Sequence, residues 1–416
     1  MRTRTRPLRI LLCAAEAPLP PLNGLRLVVW NLCRELAKRH ELSVVAFRWP
    51  DQHGDPPGAF RYHELVTRTP SLAQRIRERA MSLAWQKPVD AVRLGARMRF
   101  AIARLRADRP YDVAHVVGGA LADVAHALDG LPAVIAPLDA WNMNAAAVSA
   151  LASGLRRQWH DRQAAIVARY TADAYKPFAR TVLVSDEDAR SVASVDSTLS
   201  TFVIPNGVDS EHFAIRPGIR RDRQLVLFTG TLGYPPNILA TAFLAREVLP
   251  LVQRQIPGAR LVIAGRDPCA DVLSLARHPG ITVLGDVEDL RPLLATAGVF
   301  ACGMTHGTGI KNKLLEAMAC GAPAVSTPLG CRGLAVEHDR ELLVASGADA
   351  FAAAVVQVLE NASLAARLGG EARRYVIDKH AWPAVAARYE ALYDEILGDS
   401  MARYSATSGA VARSGV

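Results

Sequence analysis

Between Gly307 and Thr327 the chain reads GTGIKNKLLEAMACGAPAVST, with Lys311, Lys313 and Glu316 set where an apolar run, VFACG (299–303), gives way to helical spacing. The free backbone N–H groups at such a helix start, around Gly309, Ile310 and Lys311, form an anion site that suits a diphosphate. The two ammonium groups add point charges that hold it and stabilise the negative charge that builds on a departing diphosphate. Leu314, Leu315, Met318 and Ala319 form the buried side of a helix over Ile310–Cys320. Glu316 then lies one turn beyond Asn312 and Lys313 on the other face, where a carboxylate accepts hydrogen bonds from ribose hydroxyls. Read alone, the same residues make an ordinary solvent-facing Glu–Lys pair worth a few tenths of a kcal/mol. The glycine turn and the second lysine tip the balance towards a binding site.

The elements that must position this turn are legible along most of the chain. Short apolar, β-branched runs recur at LRILLCA (8–14), LSVVAF (42–47), DVAHVV (112–117), PAVIAPL (132–138), TVLVS (181–185) and TFVIP (201–205). A second series runs LVLFTG (225–230), RLVIAG (260–265), ITVLG (281–285), VFACG (299–303), PAVST (323–327) and LLVA (342–345). Runs apolar at nearly every position suit strands covered on both faces. Stretches at helical spacing, such as Leu27–His40 and Ala240–Gln255, lie between them. Strand and helix alternating twice predict two doubly wound α/β domains, Rossmann-like in each half. The seam falls in the polar NGVDSEHFAIRPGIRRDR (206–223), giving an N-terminal domain over 1–205 and a C-terminal domain over 206–380. A closing helix over 381–398, centred on Trp382–Leu397, is expected to pack back towards the first domain. Residues 399–416 are expected to form a disordered tail. Residues 50–110 read as a Pro/Gly loop followed by inserted basic helices.

Composition bounds the class. Half of the 416 residues are hydrophobic and 21% are charged, enough to bury a core and too apolar for global disorder. The longest apolar candidate, Val116–Leu138, is broken by Asp123, His126 and Asp129, so no spanning helix is predicted. The basic-then-apolar start MRTRTRPLRILLCAAEAPLPP reads as a first buried strand, not a signal peptide. Cys13, Cys33, Cys269, Cys302, Cys320 and Cys331 form no CxxC pair and have no histidines at metal spacing, which suits a reducing cytoplasm and argues against a structural zinc. The net charge of +9 concentrates between Arg68 and Arg109, where eleven Arg/Lys face Glu78, Asp90 and Asp108, and again over Arg156–Arg180. Such patches suit an anionic membrane face or solvated helix surfaces equally. With few aromatics and no recognised motif, nucleic acid is disfavoured.

With these pieces in view, GTGIKNKLLEAMACGAPAVST resembles the donor-site signature of the GT-B-fold retaining glycosyltransferases of family four. IPNGVD (204–209) resembles that family's link into its second domain. FTGTLGYPPN followed by FLAREVLP resembles a bacterial sugar-transferase subgroup with a Tyr-Pro-Pro-Asn turn. The similarity runs over most of residues 8–397, dense in the second half and thin between 50 and 180. It implies that Gly24 and Arg26, after the first strand, face the donor phosphates. Gly230 and Thr231 would lie under those phosphates, and Arg266 would end the next strand. Asp286, Val287 and Glu288 would form the loop beside the nucleobase, and Glu316 would bind ribose. Two departures stand out: Thr308 occupies the place of the family's sugar-binding glutamate, and the family's Arg…Lys pair is missing from GTLGYPPN. Lys311 and Lys313 are positioned to replace the lost positive charge.

On the acceptor side, Asp139 (APLDAWN) falls where the family often has a His or Asp, whereas His115 in its apolar run reads better as a core histidine. No Ser-His-Asp grouping or DxD-type pair stands out. The resemblance therefore implies sugar transfer from a nucleotide-diphosphate donor to a hydroxyl acceptor, with retention and with neither metal nor other cofactor. The setting would be exopolysaccharide, lipopolysaccharide or glycolipid synthesis, with a lipid-linked acceptor if residues 68–109 dock on the cytoplasmic membrane face. A sugar-nucleotide epimerase and a non-catalytic sugar-nucleotide binder are the rival readings, the latter favoured by Thr308.

Overall fold

The computed structural model describes residues 6–21, 23–54, 56, 58–150, 152–215, 218–307 and 309–411, with Ala147 and residues 401–411 by backbone alone. Thr308 lies outside the described residues. The chain divides into two compact units, residues 1–205 with 385–416, and residues 206–384.

The first unit is built on β1 (Arg9–Ala14), β2 (Glu41–Arg48), β3 (Arg61–Val66), β4 (Val113–Val117), β5 (Ala133–Leu138), β6 (Arg180–Leu183) and β7 (Thr201–Val203). They form one parallel sheet in the order β3-β2-β1-β4-β5-β6-β7. Its helices are α1 (Gly24–Leu36), α2 (Leu72–Trp85), α3 (Val89–Asp108), α4 (Ala125–Leu128), α5 (Trp141–Ala150), α6 (Gly154–Ala174) and α7 (Asp186–Val195). The central strands β1 and β4 are buried almost throughout, which is why they read as unbroken apolar runs. The edge strand β3 is RYHELV and largely exposed, so no apolar run announced it within the poorly legible 50–110 stretch. Asn23 caps α1 by accepting from the Arg26 N–H at 2.9 Å, and Ser71 and Gln74 close a reciprocal cap on α2.

The second unit carries β8 (Asp222–Thr231), β9 (Arg260–Arg266), β10 (Ile281–Gly285), β11 (Ala297–Cys302), β12 (Ala324–Ser326) and β13 (Leu343–Val344), parallel in the order β10-β9-β8-β11-β12-β13. α8 (Pro235–Phe243), α9 (Leu249–Gln255), α10 (Ala270–Ser274), α11 (Arg291–Thr296), α12 (Asn312–Ala319), α13 (Ala348–Glu360) and α14 (Ala362–His380) connect and cover the strands. The predicted Ala240–Gln255 helix is α8 and α9 joined by one widened turn, in which the Leu249 N–H donates to the Leu244 carbonyl, just ahead of Pro250. Gly207 of IPNGVD lies against the Trp382 indole, where a Cβ would stand 2.6 Å from the ring.

The last helix, α15 (Trp382–Val411), runs well beyond the expected end at Leu397. The expected tail over 399–416 is corrected accordingly: residues 399–411 are helical, and 412–416 lie outside the described residues. The helix runs on through Gly398, a residue that tolerates but does not favour helix, and MARYSA beyond it carries no proline to stop it. The stretch from Val385 belongs with the first unit. There the Tyr393 hydroxyl meets His115 Nδ1 at 2.6 Å, and the Tyr389 ring lies 4.9 Å from the imidazole.

Candidate functional site

In an open parallel sheet the strand order reverses at one point, and ligands bind outside the carboxyl ends of the strands there. In the second unit that point is between β8 and β11, because the chain steps outward one way through β9 and β10 and the other way through β12 and β13. β8 ends on Gly230 and Thr231, and β11 is the strand that precedes α12. The sequence motif and the switch point therefore coincide.

Gly230 is needed for close approach: a Cβ would stand 2.9 Å from both the Lys313 ammonium and the Asn237 amide. Lys313 Nζ donates to Asn237 Oδ1, and Asn237 Nδ2 donates to the Thr231 carbonyl at 2.8 Å. The same ammonium sits 4.5 Å from the centre of the Phe228 ring and 3.7 Å from Met304 Sδ. Burial, with a smaller push from Lys311, brings the Lys313 pKa down to about 8. Lys311 is buried at the start of α12 and folds its ammonium back onto the Gly309 carbonyl at 2.5 Å. Gly309 itself turns with φ +69°, a left-handed conformation that suits glycine. Ile310 is buried beneath this turn, and Asn312 Oδ1 accepts from Asn206 Nδ2 at 3.5 Å.

Glu316 is half-buried one turn into α12. Burial pushes its pKa up to about 7, against the pull of Lys313 and of Arg266 at the end of β9. The fold thus gathers three cations and one carboxylate from β9 and α12 around the switch point. Asp286 and Val287 lie farther along, after β10. There Asp286 Oδ1 accepts from the Asp267 N–H at 3.0 Å and the Asp286 N–H donates to the Gly265 carbonyl at 2.6 Å, both aspartates having φ near +52°. This locks the two loops together. Asn237 was missed from sequence. The signal lay in the Tyr-Pro-Pro-Asn turn, where the two prolines start α8 and the asparagine at the third helical position is 95% hidden from solvent.

Gly24, Arg26 and Asp139 belong to the first unit. Gly24 opens α1, and a Cβ there would meet nothing within 4 Å. For Arg26 the resemblance implies a place facing the donor phosphates, and its side chain is already engaged within the first unit. Its guanidinium is buried and ion-paired with Glu16 at 2.6 Å and Asp51 at 2.8 Å, because the fold brings both loop carboxylates onto it. Asp139 follows β5 at the rim of a cavity of about 380 Å³. His115 is in the core of β4, its pKa pushed down to about 3 by burial, so it is neutral and structural. Among the described residues no group of three or more His, Cys, Asp or Glu could hold a metal ion.

This arrangement of two parallel-sheet units, with a cationic strand–turn–helix at one switch point, defines a GT-B fold. Residues 22–212 match the family model described as Glycosyltransferase Family 4, and residues 223–361 match the one described as Glycosyl transferases group 1. The chain is 29% identical over 238 residues to a GDP-mannose-dependent alpha-(1-6)-phosphatidylinositol monomannoside mannosyltransferase of Mycobacterium tuberculosis, a stretch covering 52% of this chain and 60% of that protein. It is 25% identical over 401 residues to the protein of the same description from Mycolicibacterium smegmatis, covering 89% and 94%. Among solved structures, Anabaena HepE in complex with UDP superposes with a TM-score of 0.64 at 16% identity, over 93% of this chain and all of that one. The fold is thus GT-B, and most of the chain matches models of glycosyltransferase domains, while it spans about 60% of the length of the first mycobacterial relative.

Proposed function

We propose that the protein moves a sugar from a nucleotide-diphosphate donor to an acceptor hydroxyl, with retention at the anomeric carbon and without a metal. The observation that carries this reading is Lys313, held by Asn237 over Gly230 at the switch point beside Lys311 and the start of α12. Main-chain N–H groups and two ammonium groups there hold the diphosphate, and Glu316 accepts from the ribose. Gly230, Thr231 and Arg266 frame the phosphates; Asp286 and Val287 flank the base. Gly309 and Ile310, just ahead of α12, lie beside the sugar. As the glycosidic bond breaks, the leaving phosphate takes the acceptor proton on the same face, and the lysines stabilise its developing charge. The protein supplies position and field, with no covalent nucleophile.

The mycobacterial relatives are described as GDP-mannose-dependent and as acting on phosphatidylinositol monomannoside, which makes GDP-mannose the first donor to try and glycolipid synthesis the leading pathway class. HepE, also solved in complex with UDP-glucose, makes that nucleotide-sugar the second. Titration calorimetry with both, followed by turnover assays, tests the reading. Lys313→Ala and Glu316→Ala should each cut turnover by about a hundredfold, the scale of one charge-stabilising group, in a chain that still folds. Near-normal turnover in both variants would refute the site.

We also propose peripheral attachment to an anionic membrane surface through the basic 68–109 region. α2 is exposed along most of its length, with Leu72, Ile76 and Trp85 open to solvent among Arg75, Arg77 and Arg79. No single helix among the described residues is long and apolar enough to cross a membrane. Flotation with phosphatidylglycerol vesicles against phosphatidylcholine vesicles is the test. Equal or absent binding to both at low salt removes the proposal.

A further inference from the structure

At the end of α12 away from the lysines, the carbonyls of residues 316–321 all have a partner. The Glu316 carbonyl accepts from the Cys320 N–H at 3.1 Å, the Ala317 carbonyl from the Ala322 N–H at 2.9 Å and the Met318 carbonyl from the Gly321 N–H at 2.9 Å. Gly321 makes this closure possible by turning left-handed at φ +64°. The other three carbonyls go to two arginines distant in the chain. Arg373 of α14 donates from Nη1 to the Ala319 carbonyl. Arg221, just ahead of β8, donates from Nη2 to the Cys320 carbonyl at 3.0 Å and the Gly321 carbonyl at 2.7 Å. Each guanidinium also reaches a second segment. Arg221 Nη1 donates to the Leu294 carbonyl at 3.0 Å and the Ala297 carbonyl at 3.1 Å, and Arg373 donates to those of Phe213 at 3.1 Å and Ser210 at 3.5 Å. A planar fork of five N–H donors bridges segments in this way; a lysine ammonium, a single point of charge, does so poorly.

The start of the same helix is the reverse case. No side chain caps it, and its first turn holds no acidic residue. The fold therefore closes α12 at one end and leaves the other open for an anion. An eight-residue helix is about 12 Å long, so whatever fixes one end aims the other. A tilt of about 5° over that length moves the start by about 1 Å, and a misplacement of that size costs on the order of a hundredfold where position is what matters. Positive charge at the closed end also offsets the partial negative charge of the helix there. Arg223 shows the same chemistry on a helix that carries none of the donor residues, its Nε donating to the Leu359 carbonyl at 2.9 Å near the end of α13.

We propose that Arg221 and Arg373 are positioning residues for the donor diphosphate, acting through α12 without touching the ligand. This role rests on the proposed transfer reaction, because it concerns that reaction's donor site. Two measurements on the full chain test it: calorimetry with GDP-mannose and UDP-glucose, and the Lys313 Cε NMR signal followed against pH without ligand, assigned by its loss in Lys313→Met. Arg373→Gln and Arg221→Gln should each weaken nucleotide-sugar binding by at least about tenfold. Both should also move the Lys313 titration up from about 8 towards 10.5, as the ammonium leaves its place over Gly230. Arg373→Lys and Arg221→Lys should fall between wild type and the glutamine variants in both readouts. Arg223→Gln, the matched loss at α13, should leave both unchanged. Wild-type binding with an unmoved titration in the glutamine variants, or in the lysine variants where a thermal melt shows that glutamine prevents folding, would overturn the inference. So would equal losses in Arg223→Gln. If the wild-type chain bound neither nucleotide-sugar, the transfer reaction would fall, while the Lys313 titration would still show whether the two arginines set the place of α12.

Discussion

Lys313 and Glu316 have been moved towards each other on the pH axis, the lysine down to about 8 and the glutamate up to about 7. Both are charged only between these values, so nucleotide-sugar affinity should peak between about pH 7 and 8. It should fall on the acid side as Glu316 takes a proton, and on the alkaline side as Lys313 loses one. Calorimetry against pH checks this, with Glu316→Gln removing the acid limb alone. The stability signs follow by linkage. As pH rises from 4.5 to about 7, the folded state keeps a proton on Glu316 that the unfolded chain has released, so stability falls. From about 8 to 10.5 the unfolded chain keeps the lysine proton that the fold has shed, so stability rises. The ligand-free protein therefore bears its largest penalty inside the binding window. Lys313→Met should raise stability at pH 7.5 by on the order of 1 kcal/mol while abolishing donor binding; a lower melting point would contradict this. Asn237 gives a sharper test. Asn237→Asp sets a carboxylate against the ammonium and should move the alkaline limb upward, whereas Asn237→Ala should weaken donor binding by about tenfold, the scale of a hydrogen bond to a charged group. An unmoved limb in the aspartate variant would mean that Asn237 does not position the lysine.

The strand ends and helix starts decide how tightly these groups are held. Gly265 pairs across from Gly230, and a Cβ on it would lie 1.7 Å from the Gly230 carbonyl. Backbone cannot yield as a side chain can, so Gly265→Ala should cost about 2 kcal/mol or more and displace Gly230 and Thr231. A denaturant melt reads the first effect and donor affinity the second. Gly24 is the opposite case, with open space where a Cβ would go. Gly24→Ala should gain a few tenths to about 1 kcal/mol from better helix propensity. In the eight residues of α12, the buried Leu314, Leu315, Ala317, Met318 and Ala319 anchor the turn from below.

Across the whole molecule, residues 385–416 group with residues 1–205 although the entire second unit lies between them in the chain. Val385, Tyr389, Leu392, Tyr393 and Ile396 are buried, Glu390 bridges Arg39 and His40, and Glu395 meets Arg180 at 2.5 Å. Ending the chain at Ala384 would uncover these surfaces and leave His115 buried without its tyrosine. We expect that truncation to make residues 1–205 the first part digested in limited proteolysis while residues 206–384 persist. Equal resistance of both parts would show that the last helix adds little.

Local pattern was enough to mark twelve of the strands, a few of the helices (α1, the α8–α9 pair, α12 and the start of α15) and the Lys311–Glu316 turn, because apolar periodicity and glycine placement are properties of neighbouring residues. Pattern failed at β3, whose polar edge position leaves no apolar run, and at the end of α15, where the helix continues through Gly398 into a small, polar stretch that reads as coil. Everything that depends on partners distant in the chain had to wait for the tertiary structure. It sets the strand order that makes two switch points and the 76-residue reach from Asn237 to Lys313. It also decides the capture of Arg26 by Glu16 and Asp51, and the pairing of His115 with a tyrosine 278 positions away. Burial and charge pairing depend on distance in space, and a linear chain does not carry that distance until it is packed.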